Sequence, residues 1–391
     1  MRNVYIIEGL RTPFGSYGGS LSDVHPADLA ATVIKNLLEK TGLSPESFDE
    51  VILGQVLQGG MGQAPARQAM RKAGMPDKVH AMTINKVCGS GMKSIMLAAQ
   101  SILLGESDLI VAGGMDSMSL SPYILDRARF GYRMGDGQVI DMMILDALKD
   151  PYSGKHMGEI TEVSIAKNSI SREEQDEYAI RSYTLSQKAV QNGRFDKEIV
   201  KIVKKSKKGD VIIESDEEPF KGDIGKIKSL RSVFKKDGTI TAGNASTIND
   251  GAAAVIVASE EAVAKYNLKP KAKIAAYSSN SIHPDDFGEA PIGAIEKIWQ
   301  KSNLKKDDIG IYEINEAFAA VPLMAIKKLK LDIEKVNVNG GAVSIGHPVG
   351  ASGARLTVTL LNEMILRGER YGLATLCIGG GEAVAILLEL I

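Results

Sequence analysis

An α/β fold built from two similar halves is predicted, on three observations. Apolar runs of strand length alternate with segments of helical period, the order that forms a parallel or mixed sheet covered by helices. Glycine is abundant, at 40 of 391 residues, while aromatics make up only 5%, which suits many tight strand-to-helix turns. The succession of segments also repeats at an offset of about 260 residues, a spacing better explained by internal duplication than by chance.

In the first half, residues 4–8 read as a strand, 27–40 as an amphipathic helix, 50–56 as a second strand and 64–73 as a helix ended by Gly74. Residues 81–87 form a strand leading into Cys88. The helix over 92–104 stops at Gly105, and 109–112 form a buried strand ending at Gly113-Gly114. The second half follows suit, with strands at 273–277, 309–314 and 336–339 and helices at 292–303 and 317–329. Val349-Gly350-Ala351-Ser352-Gly353 then stands where Val87-Cys88-Gly89-Ser90-Gly91 stood, with a helix over 354–367 after it. A strand at 373–378, with the glycines after it, matches 109–114. Two such halves packed together bring their equivalent turns to one centre.

Between the halves, over about 119–246, the pattern loosens. Residues 126–136 are rich in Arg and Gly. Residues 172–192 read as a long polar helix with Ser171 as N-cap and Glu174 three residues on, a capping box. Residues 198–214 read as a hairpin whose tip, from Lys204 to Asp210, carries a lysine cluster, expected to be solvated rather than a ligand site.

The formal net charge of -1, with 44% apolar and 24% charged residues, fits an ordinary globular protein and gives no field for nucleic acid or an anionic membrane. The two cysteines form neither a disulfide framework nor a CxxC metal motif, and no metal is expected. The N-terminus lacks a signal-peptide pattern and the Glu389-Leu390-Ile391 ending is not a peroxisomal signal. No uncharged apolar run reaches the ~18 residues of a membrane span. A cytoplasmic protein is expected.

Each cysteine sits in a glycine-rich junction. One reading makes both small buried apolar residues; the other makes them a nucleophile and a proton carrier. Cys88 precedes a helix whose free N-terminal amides favour a thiolate and can bind an oxyanion. Of five histidines, only His347 lies in a dense glycine motif, Gly340-Gly341-Ala342-Val343-Ser344-Ile345-Gly346-His347-Pro348, and Pro348 restricts its backbone. His25 and His80 read as structural and His283 as a loop residue. Asn315 closes a strand at its carboxyl end, where α/β ligand sites gather, yet it serves equally well as a helix N-cap.

Taken together, Arg11-Thr12-Pro13-Phe14-Gly15, Asn85-Lys86-Val87-Cys88-Gly89-Ser90-Gly91-Met92, Ala112-Gly113-Gly114-Met115-Asp116-Ser117-Met118-Ser119, Asn249-Asp250-Gly251-Ala252-Ala253, Asn315-Glu316-Ala317-Phe318, Gly346-His347-Pro348 and Cys377-Ile378-Gly379-Gly380-Gly381 resemble the thiolase family, and within it acetyl-CoA acetyltransferases. The resemblance runs the whole length and implies a thiolase-like duplicated α/β core in five layers, αβαβα. Residues 1–118 would form the N-terminal half, completed by about 247–268. Residues 119–246 would form an inserted loop domain and 269–391 the C-terminal half.

It further implies that Cys88 carries the acyl group between two coenzyme A thioesters, giving acetoacetyl-CoA from two acetyl-CoA molecules. His347 would activate Cys88, and Cys377 would remove the α-proton of the incoming acetyl-CoA. Asn315 would hold a water at the enolate, and the N–H groups of Cys88 and Gly379 would hold the tetrahedral oxyanion. The coenzyme arm would meet Leu148, His156, Met157, Ser246 and Phe318. Two positions depart from the family: Phe220 stands where relatives often carry arginine, with Lys221 as a substitute phosphate partner, and Phe287 where short-chain enzymes commonly carry methionine. No permanently bound cofactor and a homotetrameric assembly are implied. The competing readings are a 3-ketoacyl-CoA thiolase of longer chain length, a carrier-protein condensing enzyme and a non-catalytic acyl-CoA or lipid-binding homologue. Placing both thiols in one site also raises the prospect of a Cys88–Cys377 disulfide under oxidation.

Overall fold

The computed structural model describes residues 2–206 and 209–391, so Lys207 and Lys208 of the expected lysine-rich tip lie outside the described residues. The first half supplies β1 (Val4–Arg11), β2 (Gly15–Ser16), β3 (Glu50–Gly54), β4 (His80–Ile84) and β5 (Leu109–Ser117), with α1 (Pro26–Thr41), α2 (Pro65–Lys72) and α3 (Ser90–Leu104). The middle of the chain adds a hairpin, β6 (Tyr123–Ile124) with β7 (Ile140–Asp141), then α4 (Met157–Lys167), α5 (Arg172–Gln191) and a second hairpin, β8 (Ile202–Lys204) with β9 (Val211–Ile213). The chain returns to the core through β10 (Asn249–Ser259) and α6 (Glu260–Lys265). The second half contributes β11 (Ala272–Ser281), α7 (Ala290–Ser302), β12 (Ile311–Ile314), α8 (Ala320–Leu329), α9 (Ala342–Ile345), α10 (Val349–Arg367), β13 (Tyr371–Ile378) and β14 (Glu382–Leu390).

Ten strands join into one sheet ordered β12-β13-β14-β11-β1-β10-β5-β3-β4, with β2 on β10. The seam between the halves is thin: β1 meets β11 only at Tyr5↔Lys273 and Ile6↔Ala272. Side-chain alternation along the strands then sets the layers. On β10, Ala254 and Ile256 face α1 and α2, whereas Val255 and Val257 face α3 and α10. On β14, Ala385 and Leu387 turn toward α7 and α8, whereas Val384, Ile386 and Leu388 turn to the same α3–α10 centre. The result is five layers, with α3 and α10 sandwiched between the two halves of the sheet.

These central helices touch because glycine removes the side chains between them. A Cβ on Gly91 would stand 2.8 Å from the Ala354 nitrogen, and one on Gly353 would stand 2.5 Å from the Met92 nitrogen. The stretch Val87–Leu104 is apolar enough to cross a membrane by length and composition, with mean hydropathy 1.3. Its buried residues, among them Met92, Ile95 and Ile102, instead fill this middle layer.

The capping box of α5 is present: Ser171 Oγ accepts from the Glu174 N–H at 3.1 Å and Glu174 Oε2 from the Ser171 N–H at 2.8 Å. The middle region is tied to the core by buried Arg11, which pairs with Asp216 at 2.7 Å and Glu198 at 2.6 Å. Several sequence expectations need correction. Residues 336–339 are not a strand; Asn337 takes left-handed backbone (φ 47°), leaving only isolated bridges on either side. The helix expected from 317 starts at Ala320, because residues 317–319 are pinned to the preceding loop: the Ser246 N–H donates to Ala317 O at 3.0 Å and the Ala319 N–H to Asn244 O at 2.8 Å. The strand expected to end at 112 runs through Gly113 and Gly114 to Ser117, paired with β10 throughout. Finally, the helix expected from 354 begins at Val349.

Candidate active site

The chain from β4 to α3 makes a tight turn that holds the first cysteine out of the helix. Val87 lies in left-handed backbone (φ 46°), strained for a β-branched residue by roughly 1–3 kcal/mol. Ser90 over-determines the turn. Its hydroxyl donates to Val87 O at 2.7 Å and accepts from the Lys86 N–H at 2.8 Å. Gly89 is the N-cap of α3, so Cys88 stands one residue before it.

Cys88 opens onto a cavity of about 230 Å³ that Cys377, His347 and Gly379 also line. The Cys88 side chain is only half-buried, yet its sulfur is densely surrounded. Burial pushes its thiol up to about 11, against the backbone N–H groups of Gly379 and Cys88 itself, which favour the thiolate. Resting Cys88 is therefore a neutral thiol that two amides already approach. Cys377, on β13, is 1% exposed. Burial raises its thiol further, and a negative charge on Cys88 raises it again. Both cysteines are free.

His347 is fixed from three sides. Its N–H donates to Asn249 Oδ1 at 2.9 Å, Nδ1 lies 2.5 Å from Ser352 Oγ, and Nε2 lies 3.4 Å from Asn315 Nδ2. The Ser352 hydroxyl donates to Pro348 O at 2.9 Å, so its oxygen accepts from His347 Nδ1–H, leaving Nε2 without a proton and able to accept from Asn315 Nδ2. Burial, followed by the charge of Arg355, drives the imidazole down to about 3, so the resting ring is neutral. A neutral Nε2 is a base.

Asn315 is not a helix cap, since α8 is capped at Ala319; the cap alternative is excluded by the loop at 317–319. Asn315 is fully buried, and among the described residues its Oδ1 has no hydrogen-bond partner. The segment is held by Glu316, whose carboxylate accepts from Tyr178 OH (3.0 Å), Asn337 Nδ2 (3.0 Å), Ser182 Oγ (2.7 Å) and the Val343 N–H (3.1 Å). This one carboxylate fixes the loops that carry both Asn315 and His347.

Leu148, His156, Met157, Ser246, Phe287 and Phe318 all line the cavity. His156 caps α4, its Nδ1 accepting from the Gly158 N–H at 3.1 Å, and stacks on Phe234 at 4.6 Å. Phe234 in turn meets Phe318 edge-on at 6.2 Å. Phe234 was missed by sequence reasoning; it lies in a loop with no periodic pattern and no glycine motif. Ala147, Ala245, Ile248 and Val349 complete walls that are mostly apolar.

Lys221 and Phe220 are not part of this cavity. Both are exposed, Phe220 at 51%, and Lys221 Nζ lies 3.7 Å from Glu218 in its own 3-10 turn. His25 and His283 serve as caps, each with Nδ1 accepting a backbone N–H. His80 lies by a larger open depression of about 740 Å³ edged by Glu46, Asp49, Glu50 and Lys78. No cysteine lies among the residues that line that depression, whereas both cysteines line the smaller cavity.

Two thiolase domain models together match nearly the whole chain. The thiolase N-terminal domain matches residues 4–261 and the thiolase C-terminal domain residues 268–390. A probable acetyl-CoA acyltransferase of Staphylococcus aureus strain NCTC 8325 / PS 47 is 47% identical over 391 residues, covering 100% of this chain and 99% of that protein. The protein of the same description from strain MRSA252 is likewise 47% identical over the same span. Among solved structures, the crystal structure of the Bacillus anthracis acetyl-CoA acetyltransferase matches with a TM-score of 0.97 at 43% identity, covering 100% of this chain and 99% of that one. Across its whole length, and not through isolated motifs, this chain belongs to the thiolase family of acyltransferase enzymes.

Proposed function

We propose that the enzyme reversibly condenses two acetyl-CoA molecules to acetoacetyl-CoA and CoA through an acyl-Cys88 intermediate. The observation that carries this reading is the meeting of two free thiols, one neutral imidazole and the Gly379 N–H around one cavity of about 230 Å³. His347 Nε2 takes the Cys88 proton as the sulfur adds to the thioester carbonyl. The oxyanion is received by the N–H groups of Cys88 and Gly379. Collapse expels CoA, which takes its proton from Cys377, leaving a Cys377 thiolate beside a now uncharged acyl-Cys88.

Electrostatics supports that order. A thiolate on Cys88 would hold the proton on Cys377, whereas an acylated Cys88 can carry no charge, so the acyl-enzyme is the state in which Cys377 ionises most readily. The Cys377 thiolate then takes an α-proton from the second acetyl-CoA, and the protonated His347 faces the enolate oxygen. The enolate carbon attacks acyl-Cys88, and the released Cys88 thiolate regains its proton from His347.

The substrates enter as coenzyme A thioesters, with Leu148, His156, Met157, Ser246 and Phe318 along the arm. The small apolar cavity, walled by Phe287 and Phe318, supports a short acyl group over the longer-chain reading. The three reactive side chains support a catalyst over a binding homologue, and Asn315 with Cys377 supports coenzyme A thioesters over carrier-protein thioesters. Free thiols suit a reducing cytoplasm. Exposed Phe130 (85%), Met134 (98%) and Tyr152 (78%) support self-association through the middle region, consistent with a homotetramer.

Mass spectrometry of enzyme mixed with acetyl-CoA alone tests the intermediate: an acetyl group on Cys88 is expected. Cys377→Ala, in which the departing CoA must take its proton from solvent, should acylate more slowly but still acylate, while losing about 10³-fold in condensation; absence of acylation in that variant overturns the division of labour. Thiolysis rates across 3-ketoacyl chain lengths test the substrate, and faster turnover of long chains overturns the acetyl assignment.

A further inference from the structure

The oxyanion donor at Gly379 sits on a weak foundation. It opens a run of three glycines in which Gly380 (φ 93°) and Gly381 (φ 89°) both take left-handed backbone, and space around Gly380 is open. Such a loop has the greatest freedom to lose when it is ordered. Yet its N–H must be aimed at the Cys88 sulfur, which belongs to the other half of the molecule.

Two contacts reach across from one loop to the other. The Ile378 side chain lies over Gly89, where a Cβ would come within 2.4 Å of Ile378 Cδ1. Immediately after the glycines, Glu382 Oε2 meets Lys86 Nζ at 2.5 Å. Lys86 is two residues before Cys88 and Glu382 three after Gly379, so the pair spans the two loops. Both ends are braced by their own backbones. The Lys86 N–H donates to Ser90 Oγ at 2.8 Å, and Glu382 pairs in register with Ile378 on one side and Ser281 on the other. Ser281 Oγ also donates to Glu382 Oε1 at 3.3 Å. The side chains are 23% and 37% exposed, so the pair is partly shielded from solvent. Lys93, one turn into α3, is close enough to feel both charges.

We propose that the Lys86–Glu382 ion pair is a positioning clamp: it fixes the 379–381 loop against the nucleophile turn and so sets the Gly379 N–H at the Cys88 sulfur. Neither side chain touches the reacting atoms; each acts through the loop it holds. The clamp rests on the acyl-Cys88 reading for its catalytic consequence, but not for its geometric one. Exposed ion pairs contribute little to global stability, so its effect belongs to donor geometry, where small misplacements are costly.

The test uses the full-length enzyme as Lys86→Met, Glu382→Gln and the charge-reversed double variant Lys86→Glu/Glu382→Lys. Each single variant should keep its melting temperature and KM within twofold while kcat for acetyl transfer falls about tenfold, with the reversed pair recovering most of the loss. Alkylation of Cys88 by iodoacetamide, followed against pH, needs no substrate. Loss of the Gly379 N–H should move that profile upward in the single variants and back in the double variant. Single variants with unchanged kcat and an unchanged alkylation profile overturn the clamp, as does a reversed pair that rescues neither. A wild-type enzyme inactive on acetyl-CoA, with the alkylation shift intact, overturns the functional reading and leaves the clamp standing.

Discussion

The two halves treat the same kind of sequence in opposite ways. In the first, Val87-Cys88-Gly89-Ser90-Gly91 delays its helix until Ser90, so the cysteine is displayed at a turn. In the second, Val349-Gly350-Ala351-Ser352-Gly353 is helical from its first residue, and the Gly350 N–H donates to buried Asp116 Oδ2 at 2.8 Å. The strands that follow reverse the relation. β5 runs straight through Gly113-Gly114 because β10 pairs with both, whereas β13 stops at Ile378 and releases a glycine loop. Each half thus opens where the other is closed. One displays Cys88 and the other the Gly379 N–H, and the two similar halves supply the frame for both.

Gly114→Ala should break this contrast most severely. A Cβ there would lie 2.0 Å from Gly350 O, backbone that has no room to move, and a loss of about 3–5 kcal/mol is expected in denaturant unfolding. Gly379→Ala, whose Cβ would meet nothing closer than 3.7 Å, should cost under about 1 kcal/mol. Equal losses would erase the asymmetry. Ser352→Ala removes the acceptor that orients His347, and kcat should fall about 10–100-fold with KM held. An unchanged kcat would mean that the ring is oriented without it.

Asp116 sharpens the comparison through pH. It accepts from the Val56, Leu57 and Gly350 N–H groups, bridging the halves. Burial, opposed by those bonds, raises its carboxyl from 3.8 to about 7. With the folded value above the unfolded one, its contribution to stability is complete below about pH 4 and is lost as pH rises through about 7. Melting temperatures of Asp116→Asn should lack that portion of the decline; a parallel profile would remove Asp116 as its source. Gly380→Ala, with open space around its Cβ, should cost about 1 kcal/mol in denaturant unfolding from its left-handed backbone alone.

The meeting of Cys88, His347 and Cys377 in one cavity was legible because glycines crowd around each of them, and crowding of backbone is visible as sequence. The halves were legible through their alternation of periods. β10 was not: Asn249–Ser259 is buried at every position, and its Gly-Ala-Ala-Ala run has low strand propensity, so its extended form is imposed by the neighbours β1 and β5. Asn315 was readable only as an even choice between cap and site, since what decides it is the pairing of 317–319 with a loop some seventy residues earlier. Ser352 stood in the glycine-rich segment expected to precede a helix, and nothing local marks it as the partner of an imidazole.

The thin seam between β1 and β11 has a mechanical meaning. With two residue pairs joining the half-sheets, the sheet is a poor ruler for the gap between Cys88 and Cys377, which stand on opposite sides of that seam. The ruler is the glycine-to-glycine contact of α3 with α10, where two backbones rest on each other without intervening side chains. A span measured by backbone contact cannot be tuned in small steps. Insertion of a single methyl group there would act as a shim, displacing one half bodily from the other while every loop of the site kept its own internal shape.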